Sequence, residues 1–131
     1  MKWLSDSLLI SLGASLGANG RYWLGRWVQG FAQPPFPWGT FVVNATGCFA
    51  IGLIMGLILG LQWGPGWRTL LVVGFLGGYT TFSSFSLETY NLIQRGNYLP
   101  AIGNVVGSVV LGLLGTWAGD VLARLLSGAK S

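Results

Sequence analysis

The chain has 131 residues, 52% of them hydrophobic and only 8% charged, with 22 glycines. That length allows a single domain over 1–131, and a soluble fold of this size leaves too much surface in water to hide so much apolar area. The formal charge of +4 comes from seven basic residues scattered singly, which form no patch for a nucleic acid, and one cysteine with no histidine excludes an internal disulfide framework and the common thiolate or imidazole metal sites.

The composition therefore points to an all-α integral membrane protein. A helix needs about 20 predominantly apolar residues to cross the hydrocarbon core, and four stretches are expected to do so. The first runs from about Leu4 to Val28, with Trp3 and Trp27 near its ends. It lacks the charged start and small-residue cleavage site of a removable signal, so it is expected to stay as a span. The second, about Trp38 to Gln62, is entered through Gln33-Pro34-Pro35-Phe36-Pro37, whose prolines interrupt any helix. The third, Arg68 to Arg95, follows a Trp63-Gly64-Pro65-Gly66-Trp67 turn, and the fourth runs from about Tyr98 to Leu126. Trp and Tyr gather at most of these ends, where amphipathic rings favour the headgroup level.

Small residues recur one turn apart: Gly13 and Gly17; Gly52, Gly56 and Gly60; Gly103 and Gly107; Gly115 and Gly119. Each set lines one helix face and lets a neighbour approach closely. Cys48, within an apolar run, reads as a small packing residue.

Charge then bears on orientation. With an even number of spans, Lys2, Arg68, Arg124 and Lys130 share one side, and Arg21, Arg26 and Arg95 the other. Such a balance gives almost no positive-inside bias. A chain without preferred orientation can insert both ways and pair antiparallel with itself, and four helices are few for enclosing a pathway. An antiparallel, dual-topology homodimer is the expectation.

Polar chemistry concentrates in Gly74-Phe75-Leu76-Gly77-Gly78-Tyr79-Thr80-Thr81-Phe82-Ser83-Ser84-Phe85, about halfway across the third span. Glycine and threonine weaken a helix here. A break would release carbonyl oxygens suited to a hard cation and set hydroxyls along a pathway; a packing kink with hydroxyls bonded back to their own helix fits the composition equally. Asn44 lies deep in the second span, and Asn104 and Ser108 sit one turn apart on the fourth. Each either joins helices or faces a pore.

These segments carry a family resemblance. Gly17-Ala18-Asn19-Gly20-Arg21-Tyr22, the Gly39–Gly47 stretch with its asparagine, and Gly74–Phe85 together resemble the CrcB/Fluc family of fluoride channels over essentially the whole chain. The resemblance implies an antiparallel homodimer in the cytoplasmic membrane, with two fluoride pathways and a structural sodium ion at its centre. It assigns that Na+ to the backbone carbonyls of Gly77 and Thr80. It assigns the fluoride pathway to Asn44, to the rings of Phe82 and Phe85, and to the hydroxyls of Ser83, Ser84 and Ser108. Arg21, with Arg26, would raise the anion concentration in a vestibule. Tyr79, Ser84 and Asn104 depart from the residues common in such proteins. The activity implied is passive fluoride export giving fluoride resistance, with fluoride, lipid and a second copy as partners.

Two rival classes differ in what they require. A small dual-topology proton-coupled multidrug or cation exporter needs an acidic residue deep in the bundle, and Glu88 is the one candidate, expected instead to be an ion-pair or cap residue. A purely structural protein explains the glycine faces but not the Thr/Ser/Phe string. An enzyme is disfavoured by the missing histidine and the lack of a carboxylate pair.

Overall fold

The computed structural model describes residues 2–128, and among them every regular element is a helix. Lys130, counted above for orientation, lies outside the described residues. Helix α1 spans Lys2–Phe31 and stops at the proline loop, where the Gln29 side-chain oxygen accepts the Gly39 N–H at 3.1 Å and so ties the end of α1 to the start of the next helix. Helix α2, Trp38–Gly60, ends as the Trp63 N–H wraps back to the Ile58 carbonyl at 3.0 Å.

The third span comes in two halves. Its first half, α3, starts at Pro65–Trp67 with proline pre-set for the first turn, widens into a π-helix over Arg68–Leu76 and returns to α-winding over Gly77–Tyr79. Thr80 and Thr81 are extended, with φ/ψ of −82°/157° and −150°/117°. The second half, α4, runs Phe82–Gln94 and closes through Gly96 at φ 74°, whose left-handed conformation suits a residue without Cβ. Helix α5 is Tyr98–Ser127, followed by Gly128 at φ 66°.

Three segments are long and apolar enough to cross a membrane: Trp38–Gly60, Pro65–Gln94 and Tyr98–Ser127. Of the four stretches expected to meet that requirement, the first falls short of it. Helix α1 is as long as any, but Ser5, Asp6, Ser7, Asn19, Arg21, Arg26 and Gln29 lower its hydropathy.

The glycine faces form the helix contacts. A Cβ at Gly13 would run into the Leu70 carbonyl and one at Gly17 into that of Phe75, so α1 lies directly on α3. Likewise a Cβ at Gly52 would strike the Thr116 carbonyl, and one at Gly119 that of Phe49, which makes α2 and α5 the most extensive pair. Few apolar side chains are sealed within the chain, among them Val43, Leu76, Leu92 and Ala123. Leu99, Leu113, Leu125 and many others face outward. An apolar exterior of this extent suits lipid and a protein partner, and the chain is a multi-pass membrane protein.

Candidate functional site

The break at Thr80–Thr81 organises a region where polar side chains of α2 and α4 converge inside the apolar bundle. In a continuous helix the Thr81 N–H would bond the Gly77 carbonyl. Here it donates to Asn44 Oδ1 at 2.8 Å, and the Asn44 amide nitrogen donates to the Thr81 carbonyl at 3.0 Å. One side chain on α2 thus takes both backbone polar groups of the buried Thr81. The Ser84 N–H, which would bond the Thr80 carbonyl, goes to Thr81 Oγ1 at 3.2 Å and caps α4. Gly77 and Thr80 accordingly lose their usual amide partners, and Gly77 is exposed on the surface of the chain.

Two cavities meet at Thr81. The larger, about 430 Å³, is mostly apolar and is lined by Asn44, Cys48, Phe82, Phe85 and Ser108, with Gly77 and Thr80 at its wall. The Ser108 hydroxyl is buried there without a protein partner. Phe82, 79% exposed, and Phe85 lie with ring centroids 5.6 Å apart and planes inclined at 38°. The smaller cavity, about 390 Å³, has Arg21, Thr40, Thr81 and Ser84 in its wall. The Ser84 hydroxyl accepts from Thr81 at 3.1 Å, leaving its own proton and the Arg21 guanidinium as donors to an anion.

The expected site residues therefore divide. Asn44, Phe82, Phe85 and Ser108 share the larger cavity with Gly77 and Thr80; Arg21 and Ser84 share the smaller one. Ser83 lines neither, and its exposed hydroxyl lies 3.3 Å from that of Thr81. Arg26 is turned to its own helix, donating to the Tyr22 hydroxyl at 3.0 Å with its guanidinium 5.7 Å from that ring. The break also falls later than its glycines. Gly77 and Gly78 are helical, and Gly78 serves close packing, since a Cβ there would press on the Ala14 backbone.

Glu88 corrects its expected role. It neither caps a helix nor pairs with a cation among the described residues: Oε1 accepts from the Thr40 hydroxyl at 2.7 Å, and Oε2 is buried without a partner. Sequence reasoning also missed Thr81, the hinge of the whole arrangement, and Tyr79, which stacks on Phe75 and shares a 2.8 Å hydrogen bond with Thr46. The adjacent threonines flagged the first; nothing local flagged the second.

Residues 8–120, which contain the break, its asparagine clamp and both cavities, match the family described as CrcB-like protein, Camphor Resistance. The chain belongs to the CrcB family. Its CrcB relatives include proteins named fluoride-specific ion channel FluC. That of Solibacter usitatus is 52% identical over 118 residues, covering 89% of this chain and 97% of the relative. Those of Chloroflexus aurantiacus and Paramagnetospirillum magneticum are 45% and 46% identical, covering 95% and 91% of this chain and 100% and 95% of theirs. The resemblance drawn from the three sequence segments is thereby borne out, and CrcB membership spans every element from α1 to the last third of α5.

Proposed function

We propose that this chain is a fluoride-selective channel, not an enzyme, which lets fluoride leave the cell passively through the cytoplasmic membrane. The observation that carries the reading is the nearly full-length match to proteins named as fluoride channels. The site's chemistry supports it. Fluoride is compact and strongly hydrated, so a dry path must replace its water with short donor contacts. Arg21 and Ser84 supply donors on one side of Thr81, and Ser108 supplies one on the other. Aromatic rings carry a positive edge, by which Phe82 and Phe85 can favour an anion. An inside-negative potential of 100 mV favours anion exit by about 2.3 kcal/mol per charge, so no energy source is required.

The working unit in this reading is an antiparallel homodimer, with all four helical spans in the bilayer. The larger cavity opens on the exposed Phe82, and the outward apolar faces of α4 and α5 provide area for a second copy. Unwound backbone carbonyls serve as Na+ ligands in membrane proteins. Gly77 and Thr80 fit that use, because the amides that would occupy their carbonyls bond elsewhere. A bound Na+ would supply positive charge beside an anion path and hold the two broken helices together. Glu88 meets the minimum need of a proton-coupled exporter, an acidic side chain within a span, but its one hydrogen-bond partner among the described residues is the Thr40 hydroxyl.

Liposomes holding the purified protein should release fluoride on addition of a K+ ionophore and retain chloride, with a flux independent of a proton gradient. Phe82→Ile and Phe85→Ile should each slow the release. Equal chloride release, or cation flux that follows pH, would overturn the reading.

A further inference from the structure

Asn104 is 1% exposed, the largest polar side chain among the fully buried residues. Its amide nitrogen donates to Thr89 Oγ1 at 2.9 Å, and the Thr89 hydroxyl donates to the Phe85 carbonyl at 2.7 Å. The three groups form a directed relay from α5 to the peptide of a ring that lines the larger cavity. Asn104 had been expected only as helix glue or a pore-facing amide; the geometry gives it a specific target.

The anchoring of α4 makes that target consequential. Thr89 and Leu92 are the only buried residues of this helix, so Phe85 is carried on an element fixed to the bundle at few points. One turn beyond Asn104 on α5 stands Ser108, whose unpartnered hydroxyl lies in the same cavity wall as Phe85. An apolar contact between the helices would tolerate sliding. A hydrogen-bonded relay holds one register, because amide, hydroxyl and carbonyl align in a single arrangement.

We propose that Asn104 and Thr89 are positioning residues that set the Phe85 ring against the Ser108 hydroxyl and thereby the cavity's discrimination between fluoride and larger halides. The proposal rests on the channel reading above. Interhelical hydrogen bonds add only modestly to the stability of membrane proteins, so the relay should act more on selectivity than on folding.

The test is fluoride and chloride efflux from liposomes with Asn104→Leu, Thr89→Val, the double variant and Thr89→Ser. Asn104→Leu and Thr89→Val should each narrow the fluoride-to-chloride ratio by up to about twentyfold, the factor matching the strongest interhelical hydrogen bonds. The double variant should be no worse than either single one, as for two parts of one unit. Thr89→Ser keeps the hydroxyl and should recover the ratio. Should Asn104→Leu fail to give monodisperse protein, Thr89→Val decides, since valine nearly matches the shape of threonine. An unchanged ratio in Thr89→Val, or fluoride and chloride falling together in proportion to folded protein, overturns the positioning role. An unsubstituted chain that releases no fluoride overturns the channel reading and the positioning role with it.

Discussion

Asn44 gives both ends of its amide to the backbone of one residue, Thr81, and Thr81 gives its hydroxyl to the start of the helix that follows. The two contributions are separable. Thr81→Val keeps both bonds to Asn44, which involve only backbone, and removes the cap on the Ser84 N–H, a loss of about 1 kcal/mol. Asn44→Ala strands a buried N–H and a buried carbonyl, each costing about 1–3 kcal/mol. Thermal unfolding in detergent should therefore rank Asn44→Ala below Thr81→Val, and Thr81→Val below the parent; the reverse order would mean that water replaces the clamp. In sequence, Asn44 was legible as a polar residue that needs a partner. The partner itself was not, because it lies 37 positions away across two helices. Glu88 escaped for the same reason, its hydroxyl partner being 48 positions distant.

At the scale of elements, the packing follows from where glycines let backbones touch. Gly119 of α5 faces the Phe49 carbonyl and the Leu53 amide of α2, and Gly52 of α2 faces Thr116 and Asp120 of α5. The obstacle to a methyl at Gly119 is backbone, which no rotamer change relieves. Gly119→Ala should thus cost at least the 1–3 kcal/mol or so typical of overpacking, read as a lower melting temperature and loss of dispersed protein. Gly30→Ala meets nothing within 4 Å and, within a helix, should be neutral or gain up to about 1 kcal/mol. Equal losses in both would remove the argument from close approach. The spacing of these glycines was visible in the sequence, as were the proline and Trp-Gly-Pro-Gly-Trp punctuation. The π-winding of Arg68–Leu76 was not, since it shifts a backbone hydrogen-bond register without a distinguishing residue pattern in the apolar run that follows Arg68 and Thr69. Nor did composition separate a break at Gly77-Gly78 from one at Thr80-Thr81: glycine weakens a helix, but here Gly78 packs against the Ala14 backbone within a helical turn, and the chain becomes extended at Thr80 and Thr81.

The whole molecule presents a chain with a largely apolar exterior and a site that opens at its surface. In the four-span reading proposed above, four basic residues stand against three on the two sides, and insertion follows such differences rather than the fold. If both orientations are needed to complete each pathway, biasing the population should cost activity in a way that mixing repairs. Gln33→Lys with Asn97→Lys adds charge to the side of Arg21, Arg26 and Arg95. Both positions are cheap to change, since Gln33 is exposed in the proline loop and the Asn97 side chain makes no cap bond to α5. Arg95→Ala with Ser127→Lys tilts the balance the other way, and lysine in the last turn of α5 also suits the helix dipole. Each biased chain expressed alone should place a C-terminal tag on one face and protect cells poorly against fluoride, whereas coexpression of the two should restore protection and the unbiased parent should show its tag on both faces. Full protection by either biased chain alone would mean that parallel copies, or single chains, suffice, and the large cavity bounded by Phe82 and Ser108 would then have to be closed by lipid, which offers a dehydrated anion no donors at all.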